Sequence, residues 1–139
     1  MNLRQILIYL SIFIAFSFIT SGVELNGQNI SEDVKKAFET GNANLLSKHL
    51  SSKLTLNITE HEEEMTNEQA RKELEIFFNV YNVKSFDINF EGEKDNSNFL
   101  IGTLTTDIRS FRINIFFKKS PEGKKIHLLR IEKENESEF

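Results

Sequence analysis

Apolar residues recur at spacings of three and four after residue 28, and this pattern predicts two short helices in tandem. The first has Ser31 as its capping residue and acidic side chains in its first turn, next to the positive end of the helix dipole. Gly41 ends this helix. The second begins at Asn42 or Asn44 and extends to Leu50. Together they form a helical hairpin.

A third helix has the clearest signals in the chain. Thr66 and Gln69 have the spacing of a capping box, and the helix that they begin ends near Tyr81. Its apolar stripe consists of Ala70, Leu74, Phe77 and Phe78. This stripe predicts one face packed against a core.

Five other segments have apolar residues at alternate positions or are rich in strand-forming residues, which predicts β-strands. They are residues 53–59, 86–91, 99–106, 111–117 and 125–132. One strand precedes the third helix and four follow it, so the order is ααβαββββ. This order indicates an α+β fold in which a curved antiparallel sheet wraps around the helices. The positions assigned to the interior are Phe86, Ile88, Phe90, Phe111, Ile113, Ile115 and Phe117.

The N-terminus has the features of a secretory signal peptide. Arg4 supplies a positive charge, and the apolar run from Ile6 to Ile19 is shorter than the ~20 residues of a membrane-spanning helix. Cleavage is expected after Gly22 or after Gly27, and the sequence leaves both sites open. A membrane association is expected only if this segment is retained.

The predicted organisation is therefore a signal peptide over residues 1–27, a single domain over residues 28–132 and a charged tail over residues 133–139. The chain contains no cysteine, which excludes disulfide frameworks and thiolate metal sites and favours a bacterial periplasm or cell envelope over a eukaryotic secretory route. With 21 acidic and 17 basic residues, the net charge of −4 argues against nucleic acid as a partner.

Several stretches resemble a known family when they are taken in order. They are M-T-N-E-Q-A, L-E-I-F-F, K-S-F-D-I, I-G-T-L-T-T, F-R-I-N-I-F-F-K-K and L-L-R-I-E. The chain resembles, from about Ile30 to Glu132, a family of small exported bacterial proteins of unknown function with a nuclear transport factor 2-like fold. This fold is also called cystatin-like or a SnoaL-like cone. The resemblance implies a fold and no activity, so it assigns no catalytic residue, cofactor or metal ligand.

Enzymes with this cone fold hold a carboxylate or histidine base in a pocket between sheet and helices, as the resemblance implies. The positions assigned to the interior contain no such residue. The candidate pocket residues are Phe77, Phe90, Phe111, Arg112, His127 and Arg130. Arg112 and Arg130 could hold an anionic ligand, although outward side chains paired with acidic neighbours are favoured. A catalytic base at His127 is disfavoured because no partner that would orient its ring is evident.

Two charged stretches have simpler interpretations. The acidic run from Glu60 to Glu64 is interpreted as a solvated loop before the third helix rather than a cation site, because it lacks a metal-binding spacing. The basic stretch from Arg109 to Arg130 includes a lysine-rich hairpin tip, where lysines keep a sheet edge soluble. Attraction to anionic lipid or surface polysaccharide is its other interpretation.

The function predicted from these features is a non-catalytic exported domain that binds a small apolar or anionic ligand, or a protein partner. The competing interpretation is that the phenylalanines only fill the core. The alternative function is a pocket enzyme of the isomerase, cyclase or dehydratase type that uses His127, with Arg130 and Tyr81 as supporting donors. A homodimer through the sheet face is also predicted, with Phe116 as the exposed aromatic residue.

Overall fold

The computed structural model of the chain describes residues 2–8 and 29–135. Residues 3–8 are helical and exposed. Most of the predicted signal peptide, including both cleavage sites, and the last four residues of the predicted tail lie outside the described residues. Within the described ranges, no helix is long and apolar enough to cross a membrane.

The helices of the domain are α1 (Ile30–Glu39), α2 (Ala43–Ser47) and α3 (Asn67–Val80). The side chain of Asn29, rather than that of Ser31, caps α1 by accepting a hydrogen bond from the Ser31 backbone amide. The predicted capping box of α3 is confirmed, since Thr66 and Gln69 each bond the other's backbone amide. Local sequence therefore determines where these helices begin.

Six strands form one sheet in the order β2-β1-β6-β5-β4-β3. They are β1 (Leu50–Ile58), β2 (His61–Thr66), β3 (Val83–Lys94), β4 (Ser97–Thr106), β5 (Ser110–Ser120) and β6 (Gly123–Lys133). β1 and β6 are parallel and the other pairs are antiparallel. The curved sheet packs its inner face against the helices, which confirms the predicted α+β fold class.

The prediction of a loop over the acidic run was wrong, because these residues form the edge strand β2. Thr59 and Glu60 have positive φ angles of 46° and 74° and make a tight reversal that pairs Ile58 with His61. Only Met65 is buried in β2, so the strand lacks the alternation by which strands are recognised. An edge strand open to solvent can carry carboxylates at most of its positions.

Aromatic rings fill the space between the inner face of the sheet and the helices. Phe38 of α1 packs on Phe86 of β3, with ring centroids 4.8 Å apart. Phe77 of α3 meets Phe111 of β5 edge to face at 5.1 Å, and Tyr81 meets the same Phe111 ring at 4.7 Å. Edge-to-face pairs at such distances are favourable beyond the area that they bury. These rings are part of the core between the sheet and the helices.

The assignment of Phe90 to the interior was wrong. The pairing between β3 and β4 changes register between Ile88 and Phe90, so Asn89 is an extra residue in a β-bulge. Because side chains alternate along a strand, one extra residue moves Phe90 to the outer face. There its side chain is 56% exposed, whereas Phe86, four residues earlier, is 1% exposed.

Candidate functional site

The six residues of the predicted pocket do not form one site in the structure. Phe77 and Phe111 lie together in the core, but Phe90 lies on the outer face of the sheet. Arg112 and Arg130 also lie on the outer face, because they alternate with the buried positions of β5 and β6. His127 is the extra residue of a second bulge, opposite the step from Phe116 to Phe117.

The two arginines have surroundings typical of outward strand positions. Arg130 donates to the Glu62 carboxylate of β2 through both Nε and Nη2, at 3.3 Å each. Arg112 is exposed and stands between Thr103 and Glu132 in the register of the sheet. These positions match the favoured interpretation of outward side chains. The two arginines do not converge at the opening of a pocket, where they could bind an anion together.

His127 and Tyr81 lie in different surroundings. Burial lowers the pKa of His127, and the charge of Lys118 lowers it further, while a hydrogen bond with the Phe116 backbone acts in the opposite direction. Its buried Nδ1 has no hydrogen-bond partner among the described residues. Tyr81 packs on the core ring Phe111, far along β5 from Phe116. The two side chains therefore make no common catalytic arrangement.

A groove of about 800 Å³ opens at one end of the cone and is here called the mouth groove. α1, the turn from α2 into β1, and the β5–β6 hairpin form its walls. Its lining residues are Asn29, Ile30, Asp33, Lys36, Leu45, Lys48, His49, Glu122, Lys124 and Lys125. Four lysines against two carboxylates make this lining cationic, and Ile30 and Leu45 give it an apolar floor. Its volume lies in the range of small-molecule sites.

Backbone hydrogen bonds position the basic side of the mouth groove. The Ile126 amide donates to the His49 carbonyl at 2.7 Å, which joins β6 to the end of α2. Next to it, Nζ of Lys125 donates to the Lys48 carbonyl, also at 2.7 Å. These bonds bring lysines from two distant parts of the chain to one surface. Electrostatic potentials of like sign add in such a cleft and attract anions.

His49 is half-buried in the mouth groove among charges of both signs. Burial is the largest cause that lowers its pKa, and the charges of Lys125 and Lys48 lower it further. Asp33 on α1 acts in the opposite direction. An imidazole held neutral by burial and nearby lysines gains a proton more readily when an anion binds beside it.

Three phenylalanines form a row on the outer face of the sheet, here called the outer aromatic row: Phe90, Phe99 and Phe116. The rings of Phe90 and Phe99 stack with centroids 5.5 Å apart, and Phe99 and Phe116 are tilted at 6.4 Å. Leu128 pairs with Phe116 and extends the apolar surface to β6. No described element covers these side chains, because the helices pack on the other face.

Among the described residues, no group of three histidine, aspartate or glutamate side chains is arranged to hold a metal ion. Within β2, the ring Nε2 of His61 lies 3.4 Å from the Glu63 carboxylate, while Glu62 pairs with Arg130. One ion pair therefore joins the acidic strand to β6, and the contact between His61 and Glu63 lies within the strand.

Sequence reasoning missed the mouth groove as a site. It noted the lysine-rich hairpin tip, which contains Lys124 and Lys125, but it assigned no role to Lys36 or Lys48. The sequence does contain these lysines: Lys36 and Lys48 lie near the start of the domain, and Lys124 and Lys125 lie near its end. Their convergence depends on the parallel pairing of β1 with β6, a contact between residues more than seventy positions apart.

Comparison with known proteins gives a consistent set of matches. A family model described as "Domain of unknown function (DUF4783)" matches residues 31–132. A DUF4783 family protein from Bacteroides uniformis is 37% identical, with a TM-score of 0.74 over 78% of this chain and 100% of its own. One from Bacteroides ovatus is 36% identical, with a TM-score of 0.74 over 79% and 100%. No curated protein matches the chain.

A more distant match shows the fold alone. An NTF2-like protein of unknown function from Cytophaga hutchinsonii is 15% identical, with a TM-score of 0.58 over 81% of this chain and 94% of its own. The predicted resemblance to nuclear transport factor 2-like proteins of unknown function is thereby confirmed.

Proposed function

This chain belongs to the DUF4783 family of domains of unknown function, and we propose that it is a non-catalytic binding domain that takes a small anionic ligand in the mouth groove. The observation that carries the proposal is the cationic lining of a groove of about 800 Å³. An anionic ligand with an apolar part would place its charge beside the lysines and its apolar part on Ile30 and Leu45.

The interior of the cone supports binding at the mouth rather than chemistry inside. Among the described residues, Thr106 is the one polar or charged side chain that is buried. Its hydroxyl donates to the Arg109 carbonyl at 2.7 Å within a turn, so it is already engaged. Acid–base catalysis in the interior would need an ionisable group there. The alternative of a pocket enzyme of the isomerase, cyclase or dehydratase type is therefore the weaker proposal.

Titration with anilinonaphthalene sulfonate, a fluorescent probe with an anionic and an apolar part, tests the groove. We expect the double variant Lys36→Glu/Lys124→Glu to bind the probe about tenfold more weakly than the wild type, because it reverses charge on two walls of the groove. Native mass spectrometry of the purified protein would show any retained ligand, as an adduct that is lost on denaturation.

The matched control is Lys72→Glu/Lys84→Glu, which makes the same change in net charge at exposed positions outside the groove. This control should change the affinity by less than about twofold, since exposed charges at a distance are screened. If both double variants weakened probe binding equally, binding would depend on the overall charge of the protein, and the proposed site would be refuted.

We also propose that the protein acts outside the cytoplasm of a bacterium. The support is the sequence of residues 1–27, with its single positive charge and its apolar run. Expression in a bacterial host followed by fractionation and N-terminal sequencing should give a chain that begins at Val23 or Gln28 in the periplasm or medium. Ile12→Arg should block export. An uncleaved wild-type chain in the cytoplasm would refute this proposal.

A further inference from the structure

We propose that the outer face of the sheet is an interface between two copies of this chain, related by a two-fold axis that runs across the strands at the outer aromatic row. This inference concerns the face opposite the helices and does not depend on the proposed ligand site. A second copy of the chain covers that face, because the charges on the face are complementary to those on the same face of another protomer.

The apolar centre of this face is a continuous row across four strands. Gly92 of β3 pairs with Phe99 of β4, Phe99 pairs with Phe116 of β5, and Phe116 pairs with Leu128 of β6. Phe90 stacks on Phe99 from one side and is 56% exposed. Rings that pack on one another in a row offer a firm surface, and contiguous exposed apolar side chains mark interaction sites.

A bulge creates part of this surface. The extra residue Asn89 turns Phe90 outward, at a position where regular alternation would have buried it. Gly92 leaves room for the neighbouring ring, because a Cβ there would lie 2.4 Å from Cζ of Phe99. Two irregular features of β3 thus place Phe90 and Phe99 together in the row.

The charges at the two ends of the face differ in sign. On one side of the aromatic row, the carboxylates of Asp87, Glu132 and Glu134 outnumber the cation Arg112, which makes no ion pair among the described residues. Arg130 lies on the same side, but its charge is paired with Glu62. On the other side, Lys94 and Lys118 stand in one row of pairs, joined through Ser97. The two ends lie about 20 Å apart along the strands, since Lys118 is six positions after Arg112 on β5.

This layout is self-complementary in one kind of dimer. When two sheets pack face to face, the two-fold axis lies in the plane between them. An axis across the strands then lays the acidic end of one copy on the basic end of the other and brings the two aromatic rows together. A two-fold interface must be self-complementary in this way. An axis along the strands would instead set like charges against each other.

Complementary charge reversals test both the face and the axis. Lys94→Glu/Lys118→Glu makes both ends of the face acidic, and Asp87→Lys/Glu132→Lys makes both ends basic. All four side chains are exposed, so the fold should be unaffected. Sedimentation velocity of the purified proteins should show a wild-type dimer and, for each variant alone, a dissociation constant raised about tenfold or more by like-charge repulsion. An equimolar mixture of the two variants should recover the dimer.

The matched control for the dimer is Lys35→Glu/Lys72→Glu, which makes the same change in net charge on α1 and α3, away from the outer face of the sheet. It should leave the dimer unchanged. The proposal is overturned by a wild-type protein that is a monomer at about 100 µM, a concentration at which a micromolar dimer is nearly complete. It is also overturned if the wild type is a dimer that the charge variants leave intact, or if their mixture stays as dissociated as each alone. Those results would indicate that this face binds a different partner, or that the dimer forms through a different face.

Discussion

The inner and outer faces of the sheet carry the same residue type in different situations. β3 has Phe86 on the inner face and Phe90 on the outer, and β5 has Phe111 inside and Phe116 outside. α1 and α3 cover the inner rings, whereas no described element covers the outer ones. The difference shows that phenylalanine content alone says little about a pocket. The inner rings hold the fold together, and the outer rings are available for a partner.

The energetic roles of the two sets follow from burial. Fully burying a large apolar side chain contributes about 1.5–3 kcal/mol to stability, and an aromatic pair adds about 0.5–1.5 kcal/mol. The inner rings receive both contributions on folding. Phe90 receives mainly the pair contribution, and the apolar area that it leaves exposed remains to be buried in an interface.

The strongest test of this contrast compares alanine substitutions on one strand. Phe86→Ala removes a ring that is 1% exposed and leaves a cavity against Phe38, so it should lower the free energy of unfolding by about 3–5 kcal/mol. Phe90→Ala should lower it by less than about 1 kcal/mol, after correction for any change in dimerisation. Urea denaturation at several protein concentrations measures both. Similar losses in the two variants would contradict the division into two faces.

Two glycines give a second comparison, one on each face. A Cβ at Gly102 would lie 2.6 Å from the Phe86 ring and 2.8 Å from the Asp87 carbonyl oxygen, so Gly102→Ala should cost about 1–3 kcal/mol through overpacking against backbone. The three atoms nearest to a Cβ at Gly92 all belong to the ring of Phe99, which can turn towards solvent. Gly92→Ala should therefore weaken the dimer more than the fold. Chemical denaturation and sedimentation together separate these effects, and a Gly92 variant that loses stability like the Gly102 variant would refute the account.

Phe116→Lys tests the outer face alone. It should raise the dissociation constant of the dimer about tenfold, because it places a cation in the apolar centre of each copy. Stability of the monomer should change by less than about 1 kcal/mol, since Phe116 is only half-buried. Sedimentation and thermal unfolding measure the two quantities. A variant that remains dimeric would remove Phe116 from the interface.

The smallest expected effect concerns pH and the mouth groove. His49 has a lowered pKa in the free protein, and a bound anion should raise it by stabilising the imidazolium. Binding then takes up a proton, so probe affinity should increase as the pH falls through the pKa of the complex and level off below the pKa of the free protein. The increase should stay below about tenfold, which corresponds to one pKa unit. His49→Gln should make the titration flat, and an unchanged pH profile in that variant would exclude His49 as the cause.

Protonation of His49 favours anion binding, but it lowers the free energy of unfolding. Because the folded pKa of His49 is lower than the unfolded one, the unfolded chain binds more protons at mildly acidic pH. This contribution to stability is therefore present above about pH 6.5 and is lost as the pH falls through the folded pKa. An anion in the groove should reduce that loss.

The sequence allowed the fold class to be predicted, because capping boxes and alternation are local signals. The core positions on β5 were predicted correctly, since its alternation from Phe111 to Phe117 is regular on the inner face. Phe90 was assigned to the wrong face because a bulge reverses the alternation of side chains along the strand. The amino-acid composition of the segment does not indicate a bulge. β2 was missed because an edge strand with a single buried residue, Met65, has no apolar period. The mouth groove depends on a long-range parallel pairing, which local patterns do not encode.

The most direct test of the central claim is a distance between two copies. The chain has no native cysteine, so Arg112→Cys puts a single spin label at the rim of the outer face, and Lys72→Cys puts one on the exposed side of α3. We predict a dipolar coupling between the labels of two protomers for the Arg112 position and none for the Lys72 position. Coupling at Lys72 with none at Arg112, or at neither position, would contradict an interface on the outer face of the sheet.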